Sequence, residues 1–199
     1  MDLIFNNQIS IFEDIFYKYL TPKQCTKLYT SNLILYNIFI DNNKFENNYF
    51  TPKTKDELKL AVNIWCNNRK NKINKAIIKY GHISYWNTIH ITNMDLLFEN
   101  KYIFNDNISD WNTSNVRTIR NMFAGCKKFN QYIGNWNTSN IEVIGSLFYN
   151  TQEFNQDLNK WDISKVNFAD YVFKNAIKFN KENCSNWDLS KIQYCRNIF

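Results

Sequence analysis

The chain is poor in the residues that make flexible or irregular backbone. Only 4 Gly and 2 Pro occur among 199 residues, which excludes a collagen-like or Gly/Pro-rich low-complexity chain. The sequence also lacks a glycine-rich phosphate loop, a His-Glu-x-x-His motif and a nucleophile elbow. We therefore expect a protein that is not an enzyme, and the sequence nominates no catalytic, cofactor-binding or metal-binding residue.

Cysteine and histidine are scarce as well. The five cysteines are an odd number without metal-ligand spacing, and the two histidines have no Cys or carboxylate partner at such spacing. We interpret the cysteines as reduced core thiols. The N-terminus has no signal-peptide pattern, and no run of about 18 apolar residues occurs. These observations predict an intracellular protein, in the cytoplasm or in the cytoplasm of a host cell, without a membrane partner.

The excess of positive over negative charge is concentrated in one part of the chain. The net charge is +6, and most of the excess lies in residues 53–79, whereas the segment from residue 82 onward is nearly neutral. A basic stretch of this kind is more typical of a solvated helix face than of a nucleic-acid site. We expect no nucleic-acid partner.

What the sequence does contain is a repeat of about 25 residues. Aromatic residues make up 17% of the chain, and many of them recur at fixed spacing. One series is Trp86, Trp111, Trp136, Trp161 and Trp187, and a second is Phe98, Phe123, Phe148, Phe173 and Phe199. A third is Asn105, Asn130, Asn155 and Asn180. A fixed period in this range indicates stacked repeats, so we expect aromatic core ladders and an asparagine ladder.

Each repeat is expected to contain one strand and one helical turn. After each Trp, apolar residues follow at offsets of 5, 8, 11 and 12, a spacing typical of a helix. This pattern predicts helix N-caps at Ser114, Ser139, Ser164 and Ser190. The Phe-Asn-x-x-Ile segment before the Trp is too short for a helix and predicts a strand. The fold class is thus predicted to be α/β, a leucine-rich-repeat-type solenoid with an all-helical N-terminal region.

Three domains follow from these patterns. Residues 1–50 form a helical segment and linker, residues 51–81 a helical cap, and residues 82–199 the solenoid. In the cap, Thr54 and Glu57 form a capping box, and Gly81 ends the second helix. A cap is expected because the first repeat of an array has no neighbour on one side.

The repeat resembles a known family. Residues 129–141, FNQYIGNWNTSNI, and residues 154–166, FNQDLNKWDISKV, look like the BspA-like repeat of bacterial surface proteins and mycoplasma lipoproteins. The resemblance covers residues 55–199. It implies a leucine-rich-repeat-type solenoid that binds proteins and carries no catalytic site.

Residues 8–39 resemble an F-box. The pattern begins at Ile9 and includes Phe12, Phe16 and Leu20 at helical spacing. The resemblance implies docking on the Skp-type adaptor of a cullin-type ubiquitin ligase, with these three residues in contact with the adaptor. The alternative is a helical cap without such a partner.

Two functions are compatible with these features. The first is a non-enzymatic protein–protein interaction module, as an F-box-like substrate adaptor. The second is a structural or assembly protein, for example of a large DNA virus, that docks in an oligomer through an open C-terminal edge at Phe199. Residues that vary between repeats are expected to bind the partner, and these are Gln131, Tyr132, Gln156 and Asp157.

Overall fold

The computed structural model describes residues 50–67 and 75–199 of the chain. These residues belong to one compact unit, Tyr49–Phe199. The predicted F-box-like segment, with Phe12, Phe16 and Leu20, lies outside the described residues. The adaptor contact therefore stays a prediction.

The described part begins with two helices, α1 (Lys55–Asn67) and α2 (Lys75–Tyr80). The predicted capping box at the start of α1 is confirmed in its main bond, because the Thr54 hydroxyl accepts the Glu57 N–H at 3.2 Å. The Glu57 carboxylate reaches one residue further back than expected and accepts the Lys53 N–H at 2.7 Å. Helix α2 ends at Gly81, whose φ of 71° is the left-handed conformation predicted for it.

Helix α1 covers the first repeat with its apolar side. Its buried residues are Leu58, Ala61, Val62 and Trp65. The Trp65 and Trp86 rings meet edge to face at 5.9 Å, and the Trp65 Nε1–H donates to Asp106 at 2.7 Å. The Lys59 ammonium donates to the carbonyls of Leu96 and Leu97. Burial lowers the pKa of Lys59, and the nearby charge of Lys101 lowers it further.

Residues 82–199, which we call the repeat stack, place successive 25-residue turns one above the other. Equivalent residues pair in parallel, from Asn93 to Thr118, Val143, Phe168 and Tyr194. These are single pairings, and no strand occurs in residues 50–67 and 75–199. Three short 3-10 helices complete the regular structure, namely Ile83–Tyr85, Lys181–Cys184 and Leu189–Lys191.

The predicted α/β leucine-rich-repeat-type solenoid is therefore wrong, and its helical half fails for a backbone reason. Each repeat has a positive φ in the segment predicted as a helix, at Leu96, Asn121, Ser146, Tyr171 and Asn197. A right-handed helix cannot pass through that conformation. Alternate N–H groups instead donate to the next repeat, as Met94 does to the Thr118 carbonyl and Phe98 to the Met122 carbonyl, each at 2.9 Å.

The predicted strand half fails because a side chain replaces the backbone acceptor. The N–H of Asn130 donates to the side-chain oxygen of Asn105 in the preceding repeat at 2.8 Å. The same bond joins Asn155 to Asn130 and Asn180 to Asn155. A backbone held in this way lies beside its neighbour without a strand ladder.

The core of the repeat stack is aromatic. The rings of the series Phe98, Phe123, Phe148, Phe173 and Phe199 stack with centroids 5.4–5.8 Å apart and planes within 9° of parallel. A parallel column contains Phe104, Phe129, Phe154 and Phe179, with spacings of 5.8–5.9 Å. The tryptophan side chains are all buried. The predicted role of these aromatics as core ladders is confirmed, although the backbone around them is not the predicted one.

Candidate protein-binding surface

The interior polar groups of the repeat stack are bonded to the stack itself. Each indole N–H donates to a backbone carbonyl, as Trp136 does to Ile108 at 3.1 Å and Trp161 to Ile133 at 3.0 Å. Buried threonine hydroxyls donate in the same manner to the following repeat, from Thr88, Thr113 and Thr138. Buried polar groups need such partners, so these residues serve the scaffold.

The asparagine ladder was predicted, and the hydrogen bonds confirm it. The side-chain oxygens of Asn105, Asn130 and Asn155 accept a backbone N–H of the next repeat at 2.8, 2.9 and 2.9 Å. These side chains lie at the surface, yet their acceptors are occupied.

Four of the residues predicted to bind a partner lie beside this ladder and are tied to it or to nearby turns. Gln131 donates to the Asn105 carbonyl at 2.9 Å, and Gln156 donates to the Asn130 side chain at 2.8 Å. The Tyr132 hydroxyl lies 3.3 Å from the Asn135 side-chain oxygen. The Asp157 carboxylate accepts the Asn159 N–H at 2.9 Å. Because these internal bonds occupy their polar groups, the four residues are less suited to bind a partner than their variation between repeats suggested.

Phe199, the fifth predicted residue in the described part, lies at the end of the phenylalanine column. Its ring is 43% exposed and stacks on Phe173 at 5.6 Å. The Lys181 ammonium lies 4.4 Å from the centroid of the Phe199 ring. The Trp187 side chain, by contrast, is only 8% exposed.

A different surface carries polar side chains that have no partner in the described part of the chain. We call it the ladder face, and it comprises the outward side chains of residues 92–100, 117–125, 142–150, 167–175 and 193–199, the segments whose backbones pair between repeats. Its aromatic residues are concentrated in the later repeats. They are Tyr149, Phe168, Tyr171 and Tyr194.

Glycine at position 145 makes room for one of these aromatics. The Phe168 ring lies where a side chain at Gly145 would start, with ring carbons 2.3 and 2.6 Å from the ideal Cβ position. The Arg120 guanidinium lies 5.9 Å from the centroid of the same ring. The small residue thus lets a cation and an aromatic ring meet across three repeats.

The tyrosine pocket is a depression in the ladder face. It has a volume of about 270 Å³ and is lined by Asn121, Ser146, Tyr149, Tyr171 and Lys174. All five side chains are half-buried. The Lys174 ammonium lies 5.0 Å from the Tyr171 ring centroid. Within the described part of the chain, no hydrogen bond or ion pair joins the polar ends of these five side chains to another residue.

The second concavity differs in this respect. It has a volume of about 320 Å³ and is lined by Ile89, His90, Thr92, Asn115, Arg117 and Asn140. Its two amide groups donate to backbone carbonyls of the preceding repeat, each at 2.8 Å. Its arginine is paired with Glu142 at 2.9 Å. Most of its polar lining is therefore occupied by the scaffold.

The carboxylates of the ladder face are largely neutralised. Asp170 is buried and accepts the Arg196 backbone N–H at 2.7 Å and the guanidinium at 3.0 and 3.2 Å. These bonds lower the pKa of Asp170 and raise that of Arg196. Asp95 accepts the Arg120 backbone N–H at 2.7 Å and the Thr118 hydroxyl.

The remaining reactive groups are not assembled into a site. Burial raises the pKa of the Cys126 thiol, and raises that of Cys184 to about 11, as expected for inert core thiols. Residues 50–67 and 75–199 contain no group of three or more His, Cys, Asp or Glu placed to hold a metal ion. No helix among them is long and apolar enough to cross a bilayer.

Stacked turns with repeated aromatic and polar ladders define a repeat protein. A family model described as "Mycoplasma protein of unknown function, DUF285" matches residues 67–187, and the chain belongs to this family. The predicted resemblance to a mycoplasma-type repeat is confirmed at this level, whereas the F-box-like residues 8–39 lie outside the match. No curated protein and no solved structure matches the chain.

Proposed function

We propose that the chain is a non-enzymatic protein-binding module that contacts its partner through the ladder face. The observation that supports this proposal is the division of polar groups in the repeat stack. Interior and asparagine-ladder groups are bonded within the stack, whereas the hydroxyl, amide and ammonium groups of the tyrosine pocket have no partner among residues 50–67 and 75–199. Tyrosines that offer an apolar ring and a free hydroxyl are enriched at protein interfaces.

The rigidity of the backbone behind the face supports the same function. Alternate N–H groups of each segment are bonded to the following repeat, for example Ser146 to Asp170 at 2.8 Å and Phe148 to Val172 at 2.8 Å. A surface that is already ordered loses little conformational entropy when a partner binds. The ladder face is thus suited to recognise an extended segment of another protein.

The test is a selection from a random peptide display library on two immobilised forms of the full chain. One is the wild type, and the other combines Tyr149→Ala, Phe168→Val and Tyr171→Asn. Each change copies a residue that another repeat has at the same position, namely Ala124, Val143 and Asn121. Near-ultraviolet circular dichroism and thermal melts establish that both forms are folded.

We expect peptides that are enriched on the wild type and at least about tenfold weaker on the triple variant, as expected when central aromatic residues are removed from an interface. Enrichment of the same peptides on both forms would show that the ladder face is not the binding surface. Failure to enrich any peptide on the wild type would contradict the proposed function itself.

The F-box-like adaptor role is a narrower form of this proposal. It rests on the sequence pattern at Phe12, Phe16 and Leu20, outside the described residues. Binding of a purified Skp-type adaptor to the full chain, and its loss when the three residues are replaced by Glu, is the expected result. Unchanged binding by that variant, or none by the wild type, would refute the role.

A further inference from the structure

The size of the tyrosine pocket indicates what kind of group it holds. Its volume of about 270 Å³ lies just below the range of roughly 300–1,000 Å³ typical of small-molecule sites. It spans three repeats and is open to solvent along the ladder face. One or two side chains of a larger partner fill such a depression, with the rest of the partner lying along the face.

The lining of the pocket defines the chemistry of that group. Among the described residues that line it, Lys174 is the only charged one, and Asn121, Ser146 and two tyrosines contribute an amide and hydroxyl groups. None of these five lining residues carries a carboxylate. The buried carboxylate of Asp170 on the same face is already satisfied by Arg196. An incoming anion therefore meets hydrogen-bond donors and one ammonium group, together with aromatic rings.

We propose that the tyrosine pocket receives an Asp or Glu side chain of an extended protein segment. The carboxylate binds the Lys174 ammonium, and an adjacent apolar side chain packs on the rings of Tyr149 and Tyr171. This inference rests on the proposed protein-binding function and specifies the chemistry of the partner. Lys174 disfavours a basic segment, as does Arg120, whose guanidinium lies over the nearby Phe168 ring.

The chain itself supplies variants with a matched control. Lys174→Ala copies Ala124, and Tyr171→Asn copies Asn121, so each removes one function of the pocket with a residue that the repeat accommodates. The control is Lys127→Ala. The Lys127 ammonium lies 5.6 Å from the Tyr102 ring centroid, the same type of cation–ring pair, and neither residue lines the pocket.

The experiment uses three synthetic peptides of equal length, built from Gly-Glu-Leu, Gly-Gln-Leu or Gly-Lys-Leu repeats. Each is titrated into the ¹⁵N-labelled full chain, and the backbone amide shifts of Asn121, Ser146, Tyr171 and Lys174 are followed. We expect the Glu peptide to shift these amides and to bind about tenfold more tightly than the Gln peptide, since a charged hydrogen bond is lost. The Lys peptide is expected not to bind.

Lys174→Ala is expected to remove the preference for Glu over Gln, whereas Tyr171→Asn weakens both peptides and Lys127→Ala changes neither. Equal binding of the Glu and Gln peptides to the wild type, absence of binding by both, or shifts confined to other residues would each overturn the carboxylate assignment. The proposed function is judged separately, by whether the display selection enriches any peptide that depends on the ladder face.

Discussion

In the interior of the repeat stack the indole and threonine groups donate to backbone carbonyls, whereas the polar groups of the tyrosine pocket on the same turns have no hydrogen-bond or ion-pair partner in the described part of the chain. The Trp136 indole donates to the Ile108 carbonyl, but the Tyr171 hydroxyl has no such partner among the described residues. The tryptophan and phenylalanine columns of the interior keep one residue type at each position, whereas the pocket positions hold different residues in the three repeats that line it. The scaffold and the proposed binding surface are thus separated by position within the repeat.

The largest effect is expected from breaking the interior. Trp136→Ala removes a buried ring that stacks on Trp161 at 6.4 Å and packs on Phe123 at 6.2 Å. We expect a loss of about 3–5 kcal/mol in the free energy of unfolding, from lost burial and the cavity that remains. Chemical denaturation monitored by circular dichroism measures it. Trp136→Phe, which keeps a ring, should lose less, and an equal loss would assign the effect to the indole hydrogen bond alone.

A smaller loss is expected at the junction between scaffold and surface. Gly145→Ala places a methyl group in the Phe168 ring, and we expect a cost of about 1–3 kcal/mol from overpacking. Thermal denaturation of the single variants and of Gly145→Ala with Phe168→Val gives a double-mutant cycle. The second change should restore most of the loss. Additive effects would contradict a direct clash between these two residues.

The acid sensitivity of the ladder face is expected to depend on Asp170. Its pKa is lowered by Arg196, so its contribution to stability is present above about pH 4 and is lost as the pH falls through the lowered value. Melting temperatures of the wild type and of Asp170→Asn should therefore differ near pH 7 and converge as the pH falls through the lowered pKa of Asp170. Glu153, Asp162 and Asp188 also have lowered pKa values, so both forms lose stability in acid. A constant difference between the two forms across this range would exclude the mechanism.

The smallest change in stability is expected in the pocket. Tyr171 has a φ of 61°, a conformation that Asn adopts more readily than Tyr. Tyr171→Asn therefore loses packing contacts of the ring but relieves backbone strain. We expect the free energy of unfolding to change by no more than about 0.5 kcal/mol. Equilibrium denaturation checks this, with Asn121→Ala as the contrasting variant, since Ala at a φ of 55° should destabilise. A large loss in Tyr171→Asn would show that the tyrosine is part of the scaffold.

Much of the interior was predictable because a repeated residue needs a repeated environment. The 25-residue spacing predicted the aromatic columns and the asparagine ladder, and local capping rules predicted the Thr54 bond and the turn at Gly81. The prediction that serine side chains cap the helical turns was wrong. The side chains of Asn112, Asn137, Asp162 and Asp188 accept the N–H of the following serines instead.

The candidate site was harder to predict. Sequence variation pointed to Gln131 and Gln156, but an amide beside a ladder of asparagines finds its partner there. Tyr149 and Lys174 hold the same position in successive repeats, and Tyr171 lies three residues before Lys174. Only the stacking of turns brings the three side chains around one depression. A signal was available in the tyrosines that interrupt positions held by Ala or Asn in other repeats.

The sequence by itself determined the period, the identity of the core residues and the ends of the first helices, because these depend on spacing and on local hydrogen bonds. Only the tertiary structure decided how the backbone satisfies its N–H groups. Apolar residues at helical offsets are buried equally well by consecutive turns with a positive φ, and the N–H groups then bond to the next repeat rather than four residues back. The acceptors of these N–H groups belong to a turn 25 residues away in the sequence, so no local pattern reveals them. The same stacking of turns determines which side chains surround the tyrosine pocket.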